Sequence, residues 1–198
     1  MKTLAVYCGA AEGAHPLYAD AASQQARALV AHNIGLVYGG GKVGLMGVIA
    51  DEVLRLGGEA TGVIPRALVD REVGHTGLTR LFVVKDMHER KAMMSDLAEG
   101  FIAMPGGMGT LEELFEMVTW AQLGIHAKPI GLFNVNRFYD GLRAFVRHQC
   151  EQGFVRPEHE GLMMAESDPD ALIRRLRAVA PVVSSTALPP AAADELRG

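Results

Sequence analysis

The sequence predicts an α/β domain built on an open, doubly wound parallel sheet with helices on both faces. Three observations carry the prediction. Short apolar runs alternate with segments of helical period from Thr3 to Gln152. The runs are apolar throughout instead of apolar at every second residue, as strands covered on both faces are. Several runs end in glycine or proline, as in "YGGG" and "AMPGG", where a strand hands over to a helix. In such sheets ligands bind beyond the carboxyl ends of the strands, so the segments that follow strands one, two, four and five carry most functional weight.

Each element has its own signal. "TLAVYCG" reads as a buried strand, followed by a helix from Pro16 to His32 with Leu17, Ala21, Ala28 and Leu29 among polar positions. "GLVYGGG" is a second strand. A helix over Leu45 to Leu56 puts Leu45, Val48, Ile49, Val53 and Leu56 on one side. "EATGVIP" is a third strand, stopped by Pro65, and Arg66 to Gly77 reads as a polar linker holding Glu72 and His75. "LTRLFVV" is a fourth strand, Met87 to Leu97 a helix, and "GFIAM" a fifth strand stopped by "PGG". A helix from Thr110 to Leu123 shows Leu111, Leu114, Phe115 and Val118 on one face. "KPIGLFN" is a sixth strand and Tyr139 to Gln152 a further helix. Asp168-Pro169 has the form of an N-cap and first helical residue, opening a helix with Leu172, Ile173 and Leu176.

The 198 residues suffice for one domain, two at a stretch, at about 150 residues each. The pattern assigns residues 1–180 to a single domain, and the shift to "PVVSSTALPPAAADELRG" marks 181–198 as a flexible tail. Nineteen Lys and Arg against 23 Asp and Glu leave a net charge of -4, which argues against a protein that lives on nucleic-acid phosphates. Cys8 and Cys150 form no metal or disulfide framework and fit a reducing cytoplasm. No apolar run is long enough to span a membrane, and "LAVYC" is too short for a signal-peptide core.

The strongest chemical signal is "FIAMPGGMGTLEELFE". Gly106, Gly107 and Gly109 form a turn, and the exposed amides and positive end of the following helix make an anion seat. Glu112, Glu113 and Glu116 crowd the first turns. Thr110 and Glu113 also fit the capping-box spacing, in which the glutamate folds back onto a backbone amide, and the pattern alone favours that structural role over catalysis. In "DMHERKAMM", Arg90 supplies a planar fork suited to phosphate and Lys91 a point charge. Neighbouring helical positions diverge by about 100°, so only one of the two enters a given cleft fully. A solvated surface pair is the plain alternative.

Other motifs fail. Gly39, Gly41 and Gly44 match the dinucleotide glycine spacing, but the match follows the second strand, and Glu59 stands at the start of the next strand instead of its end. A phosphate-loop match lacks the Ser or Thr after Lys42 and the first glycine, position 36 being Leu36. The seven histidines form no zinc pattern, and no serine nucleophile elbow occurs. Cys8 reads as buried packing, Trp120 and the ten methionines as core or subunit interface, and Asp51 and Asp96 as solvated helix residues. None of Lys42, Lys85, Lys91 and Lys128 can be assigned as a pyridoxal Schiff-base lysine.

Together, "YCGA", "YGGGKVGLMG", "EVGHTGL", "DMHERK" and "PGGMGTLEELFEMVTWAQLGIHAKPIGLFN" resemble the LONELY GUY family of cytokinin riboside 5′-monophosphate phosphoribohydrolases, proteins often mislabelled as lysine decarboxylases. The resemblance runs from about Thr3 to about Val155. It implies a Rossmann-like fold and a homodimer with pockets near the subunit interface. It also implies cleavage of the N-glycosidic bond of AMP or N6-prenylated AMP to free base and ribose 5-phosphate, with no metal or redox cofactor. The family's catalytic pair falls on Arg90 and Glu113. Its substrate contacts fall on Glu72, Arg90 and Lys91, on the loop Gly107, Met108, Gly109, Thr110, Leu111, Glu112 and Glu113, and on Thr119. Ala10 and Ala11 depart from the pair of serines the family often carries there, which removes two hydroxyl donors near the sugar-phosphate region. The alternative of the same fold is a non-catalytic carrier of a nucleotide or of molybdenum cofactor, which needs the anion seat but not Glu113.

Overall fold

The computed structural model describes residues 1–72 and 74–179, the side chains of residues 70–72 excepted. The order is β1 (Thr3–Tyr7), α1 (Leu17–Ala31), β2 (Gly35–Tyr38), α2 (Gly44–Arg55), β3 (Ala60–Pro65), α3 (Arg66–Glu72), β4 (Arg80–Val84), α4 (Met87–Leu97), β5 (Phe101–Ala103), α5 (Met108–Gln122), β6 (Ile130–Phe133), α6 (Asp140–Glu151), α7 (Pro157–Glu160), β7 (Met163–Glu166) and α8 (Pro169–Ala178). The strands form one sheet in the order β4-β3-β2-β1-β5-β6-β7. Every pairing is parallel. The expected α/β class and parallel sheet are therefore observed.

Strand β1 shows why its residues are apolar on both sides. Leu4, Val6 and Cys8 join a core layer shared with α1, α2 and α8. Ala5 and Tyr7 point the other way, into a layer with Met94 of α4, Leu114 of α5 and Val146 of α6. The helix starts follow local chemistry. The Asp86 carboxylate accepts the N–H groups of His88 and Glu89, both at 3.0 Å, and fixes the start of α4. Asp168 accepts from Ala171 N–H at 2.7 Å, ahead of Pro169 at the first position of α8.

Four features differ from the sequence reading. The supposed linker after Pro65 contains α3, in which Leu68 and Val69 are half-buried; counting polar residues hid that apolar turn. Helix α5 begins two residues early, at Met108, because Gly107 takes the N-cap position. A seventh strand, β7, pairs with β6 from Ile130↔Met163 to Phe133↔Glu166; "MMAE" has no β-branched residue, and its pairing comes from the sheet edge. A short 3-10 turn over Val135–Arg137 and the one-turn α7 fill connections that carried no periodic signal. The tail over 181–198 lies outside the described residues.

Sequential strands run outward from β1 in both directions, so the order reverses between β1 and β5. The loops after these two strands separate there and leave a crevice at the carboxyl edge. Gly9 and Gly106 allow the loops to touch at their base. Gly9 N–H donates to the Pro105 carbonyl at 3.1 Å, and a Cβ on Gly106 would lie 2.9 Å from Gly9 N.

Leu172 of α8 is fully buried and packs over Gly131, where a Cβ would meet its Cδ1 at 2.8 Å. Leu172→Ala is expected to cost about 2–5 kcal/mol of stability. A urea titration checks this: the midpoint falls while the slope stays unchanged.

Candidate active site

At the crevice, three chain segments meet. Arg90 sits in the first turn of α4 and Glu113 in the second turn of α5, and both are deeply buried, at 7% and 8% exposure. Arg90 Nη1 lies 3.3 Å from Glu113 Oε1. Its Nε donates to the Val63 carbonyl at 3.2 Å, and Nη1 also reaches Met87 Sδ at 3.7 Å. Gly39, after β2, closes over the guanidinium; a Cβ there would stand 2.1 Å from Arg90 Nη2. The glycine turn that resembled a dinucleotide motif thus forms one wall around Arg90.

The pair opens onto a cavity of about 170 Å³ lined by Cys8, Ala10, Met46, Met87, Arg90, Gly107, Gly109, Thr110, Glu112 and Glu113. A larger groove of about 360 Å³ lies along β7 among Arg143, Arg147 and Arg175. There, however, Arg147 and Arg175 meet Glu160 and Glu166 as exposed surface pairs. The buried acid–guanidinium pair, not the volume, distinguishes the crevice.

Glu113 is not a cap. Helix α5 starts on Gly107 with no side-chain hydrogen bond to its first turn. Thr110 is consequently the third helical residue, buried, and its Oγ1 packs against Gly106, where a Cβ would lie 2.2 Å away. The capping-box spacing was met in sequence but displaced from the helix start. The same shift leaves the first-turn N–H groups of Met108, Gly109 and Thr110 without a side-chain cap, at the positive end of a 15-residue helix. An anionic group placed there meets backbone donors and a favourable dipole.

Lys91 turns away from Arg90, as the helical spacing requires. Its Nζ binds Glu112 Oε1 at 2.6 Å and Glu116 Oε1 at 2.9 Å. Burial by itself would lower the Lys91 pKa, but the hydrogen bonds to Glu112 and Glu116 outweigh it and hold the pKa above its ordinary value. Lys91 is therefore a charged brace between α4 and α5. Met108 stands at the rim with 85% exposure. Leu111 packs into the α5 core face. Thr119 is exposed on the stripe of α5 that carries Glu112 and Glu116, beyond the cavity lining. The Glu72 side chain lies outside the described residues.

Met46 and Met87 were missed as cavity residues. Both follow strands, Met46 in the first turn of α2 and Met87 in the first turn of α4, and that position was the available signal. Cys8 lines the wall as a neutral thiol, because burial, reinforced by the nearby Glu113 charge, pushes its pKa far up. Burial likewise raises the Tyr7 phenol, again with Glu113 contributing.

Comparison with known proteins identifies the family. A family model described as "Possible lysine decarboxylase" matches residues 46–176. A cytokinin riboside 5′-monophosphate phosphoribohydrolase of Arabidopsis thaliana is 43% identical over 181 residues, 91% of this chain and 79% of the relative. A probable enzyme of the same name from Oryza sativa subsp. japonica is 44% identical over 180 residues, 91% of this chain and 74% of the relative. The chain belongs to the LONELY GUY family. Among solved structures, the molybdenum cofactor binding protein of Rippkaea orientalis superposes with a TM-score of 0.67 at 18% identity, over 89% of this chain and 95% of that one. The molybdenum cofactor carrier protein of Chlamydomonas reinhardtii gives 0.64 at 18% identity, over 89% and 98%. At that identity these two show the fold alone.

Gly39→Ala places a methyl group where Arg90 Nη2 now lies. The substitution is expected to cost about 1–3 kcal/mol. It should also expose the guanidinium: phenylglyoxal should label Arg90, read by peptide mass spectrometry, faster than in the unaltered chain.

Proposed function

We propose that the chain hydrolyses the N-glycosidic bond of a nucleoside 5′-monophosphate, AMP or N6-prenylated AMP, to the free base and ribose 5-phosphate. The observation that carries this reading is the buried Arg90–Glu113 pair, 3.3 Å apart, beside the uncapped start of α5 in one cavity. The names of the relatives support it.

In this reading the 5′-phosphate rests on the first-turn amides of α5, and the ribose reaches inward toward Glu113. As the C1′–N bond lengthens, its electron pair leaves with the base and positive charge grows on the sugar. The Glu113 carboxylate faces that charge. At about 4 Å and an effective dielectric of about 20 the attraction is roughly 4 kcal/mol, near three decades in rate. Water adds its hydroxyl to C1′ and its remaining proton goes to the base. Arg90 pairs with Glu113 and keeps it aimed, and as a lining residue of the cavity it faces phosphate or sugar. Met46 and Met87 form the apolar side of the cavity, compatible with a flat base.

The carrier reading requires the anion seat alone. It gives no role to an acid buried against a guanidinium, and the hydrolase reading is preferred for that reason. The reading includes a homodimer in the cytoplasm. In its support, Leu81, Phe82 and Val83 of the edge strand β4 are partly exposed. Both thiols, Cys8 and Cys150, are free. No helix among the described residues is long and apolar enough to cross a membrane.

The test is incubation with AMP and N6-prenylated AMP, following free base and ribose 5-phosphate. Glu113→Gln is expected to retain nucleotide binding while kcat falls by about three decades; unchanged turnover would remove the carboxylate from the mechanism. Arg90→Lys cannot reach Val63 and Glu113 together. Losing a charged hydrogen bond of about 1.5–3 kcal/mol should lower kcat/KM roughly 10- to 100-fold.

A further inference from the structure

The "EVGHTGL" segment carries a buried histidine that the reaction above does not use. His75 is 4% exposed. Its Nδ1 accepts the Gly77 N–H at 3.1 Å, so in the neutral ring the proton sits on Nε2, which donates to Asp51 Oδ1 at 2.9 Å. Its own backbone N–H donates to the Gly40 carbonyl at 3.0 Å. Next to it, Gly41 and Gly74 form an isolated antiparallel bridge. Asp51 belongs to α2, the helix that the glycine turn itself leads into. A single residue thus ties the turn to the helix beyond it: backbone to Gly40, ring to Asp51.

What this brace holds is the wall of the site. Gly39, adjacent to the tied Gly40, is the residue that lies against Arg90 Nη2. Gly40 has φ +79 and sits tightly over β3, where a Cβ on Gly62 would come 2.8 Å from its Cα. The turn therefore has little room to settle elsewhere without moving the guanidinium.

We propose that His75 and Asp51 act as positioning residues: through Gly40 they hold the glycine turn against Arg90 and thereby keep its guanidinium aimed at Glu113. Asp51, read from the sequence as a solvated helix residue, is exposed yet completes the brace from outside. The catalytic meaning of the brace rests on the proposed hydrolase reading; its mechanical meaning does not.

The experiment separates the two. Phenylglyoxal labelling of Arg90, followed by peptide mass spectrometry on the full chain, reports the guanidinium's protection without any substrate. AMP turnover on the same samples gives kcat and KM. His75→Phe keeps the ring's bulk and removes both ring hydrogen bonds. Asp51→Ala removes only an exposed partner and serves if the Phe variant fails to fold. Asp51→Asn keeps an oxygen to accept the Nε2 proton. The expected result is faster Arg90 labelling in His75→Phe and Asp51→Ala, a kcat lowered about 10- to 100-fold with KM within about twofold, and recovery of both readouts in Asp51→Asn. Labelling at the unaltered rate in folded His75→Phe or in Asp51→Ala overturns the proposal, and so does an Asp51→Asn variant as labile as Asp51→Ala. Absence of turnover in the unaltered chain would reject the hydrolase reading and leave the labelling result standing as the test of the brace.

Discussion

A guanidinium and a carboxylate buried together at the carboxyl edge of a parallel sheet constrain everything around them. Removing two charges from water costs several kcal/mol each, and their attraction offsets this only when the geometry is good and the remaining polar atoms are engaged. Arg90 answers it with an ion pair to Glu113 and a hydrogen bond from Nε to the Val63 carbonyl, with the Met87 sulfur beside them. An arrangement of that kind is weak evidence for stability alone, since well-packed apolar residues fill such a space more easily. Its position, open to a cavity beside a free helix start, is what gives it chemical meaning.

The pair is accessible because side chains are missing around it. Gly39 leaves room for the Arg90 head group, Gly106 for Thr110 and for the Gly9 backbone, and Gly44, at φ +60, for the Ala10 carbonyl, which a Cβ would approach to 2.5 Å. These glycines draw the loops after β1, β2 and β5 together over the reversal in strand order. Individually they mimic several nucleotide-binding signatures. Among them Gly39 alone lies against the charged group, and the brace from His75 and Asp51 acts on that turn.

The structural neighbours sharpen the point that fold and function are separable. Proteins that bind or carry molybdenum cofactor superpose well at 18% identity. The fold is what they share with this chain. The chemistry argued for this chain rests on a local feature: an acid one helical turn inside α5, turned toward an arginine from α4. Glu112 and Glu116, on the neighbouring stripe, are instead taken up by Lys91. Three glutamates within five positions have thus been sorted by helical direction into one facing the cavity's guanidinium and two serving a cross-helix brace.

Local chemistry determined the features that could be read without coordinates. Six of the seven strands followed from apolar runs, and the start of α8 from Asp168-Pro169, because burial on both faces and capping act over a few neighbouring residues. The motifs likewise marked Arg90, Glu113 and the glycine loop as the candidate site. Tertiary structure alone decided whether Glu113 caps its helix or faces Arg90, since moving the start of α5 by two residues makes Thr110 an interior residue. It also decided that Lys91 binds Glu112 and Glu116, that "MMAE" becomes an edge strand, and that Asp51 meets His75. Each of these depends on where a distant segment lands, and such contacts, made across the sheet or between helices far apart in sequence, leave no periodic trace in the chain itself.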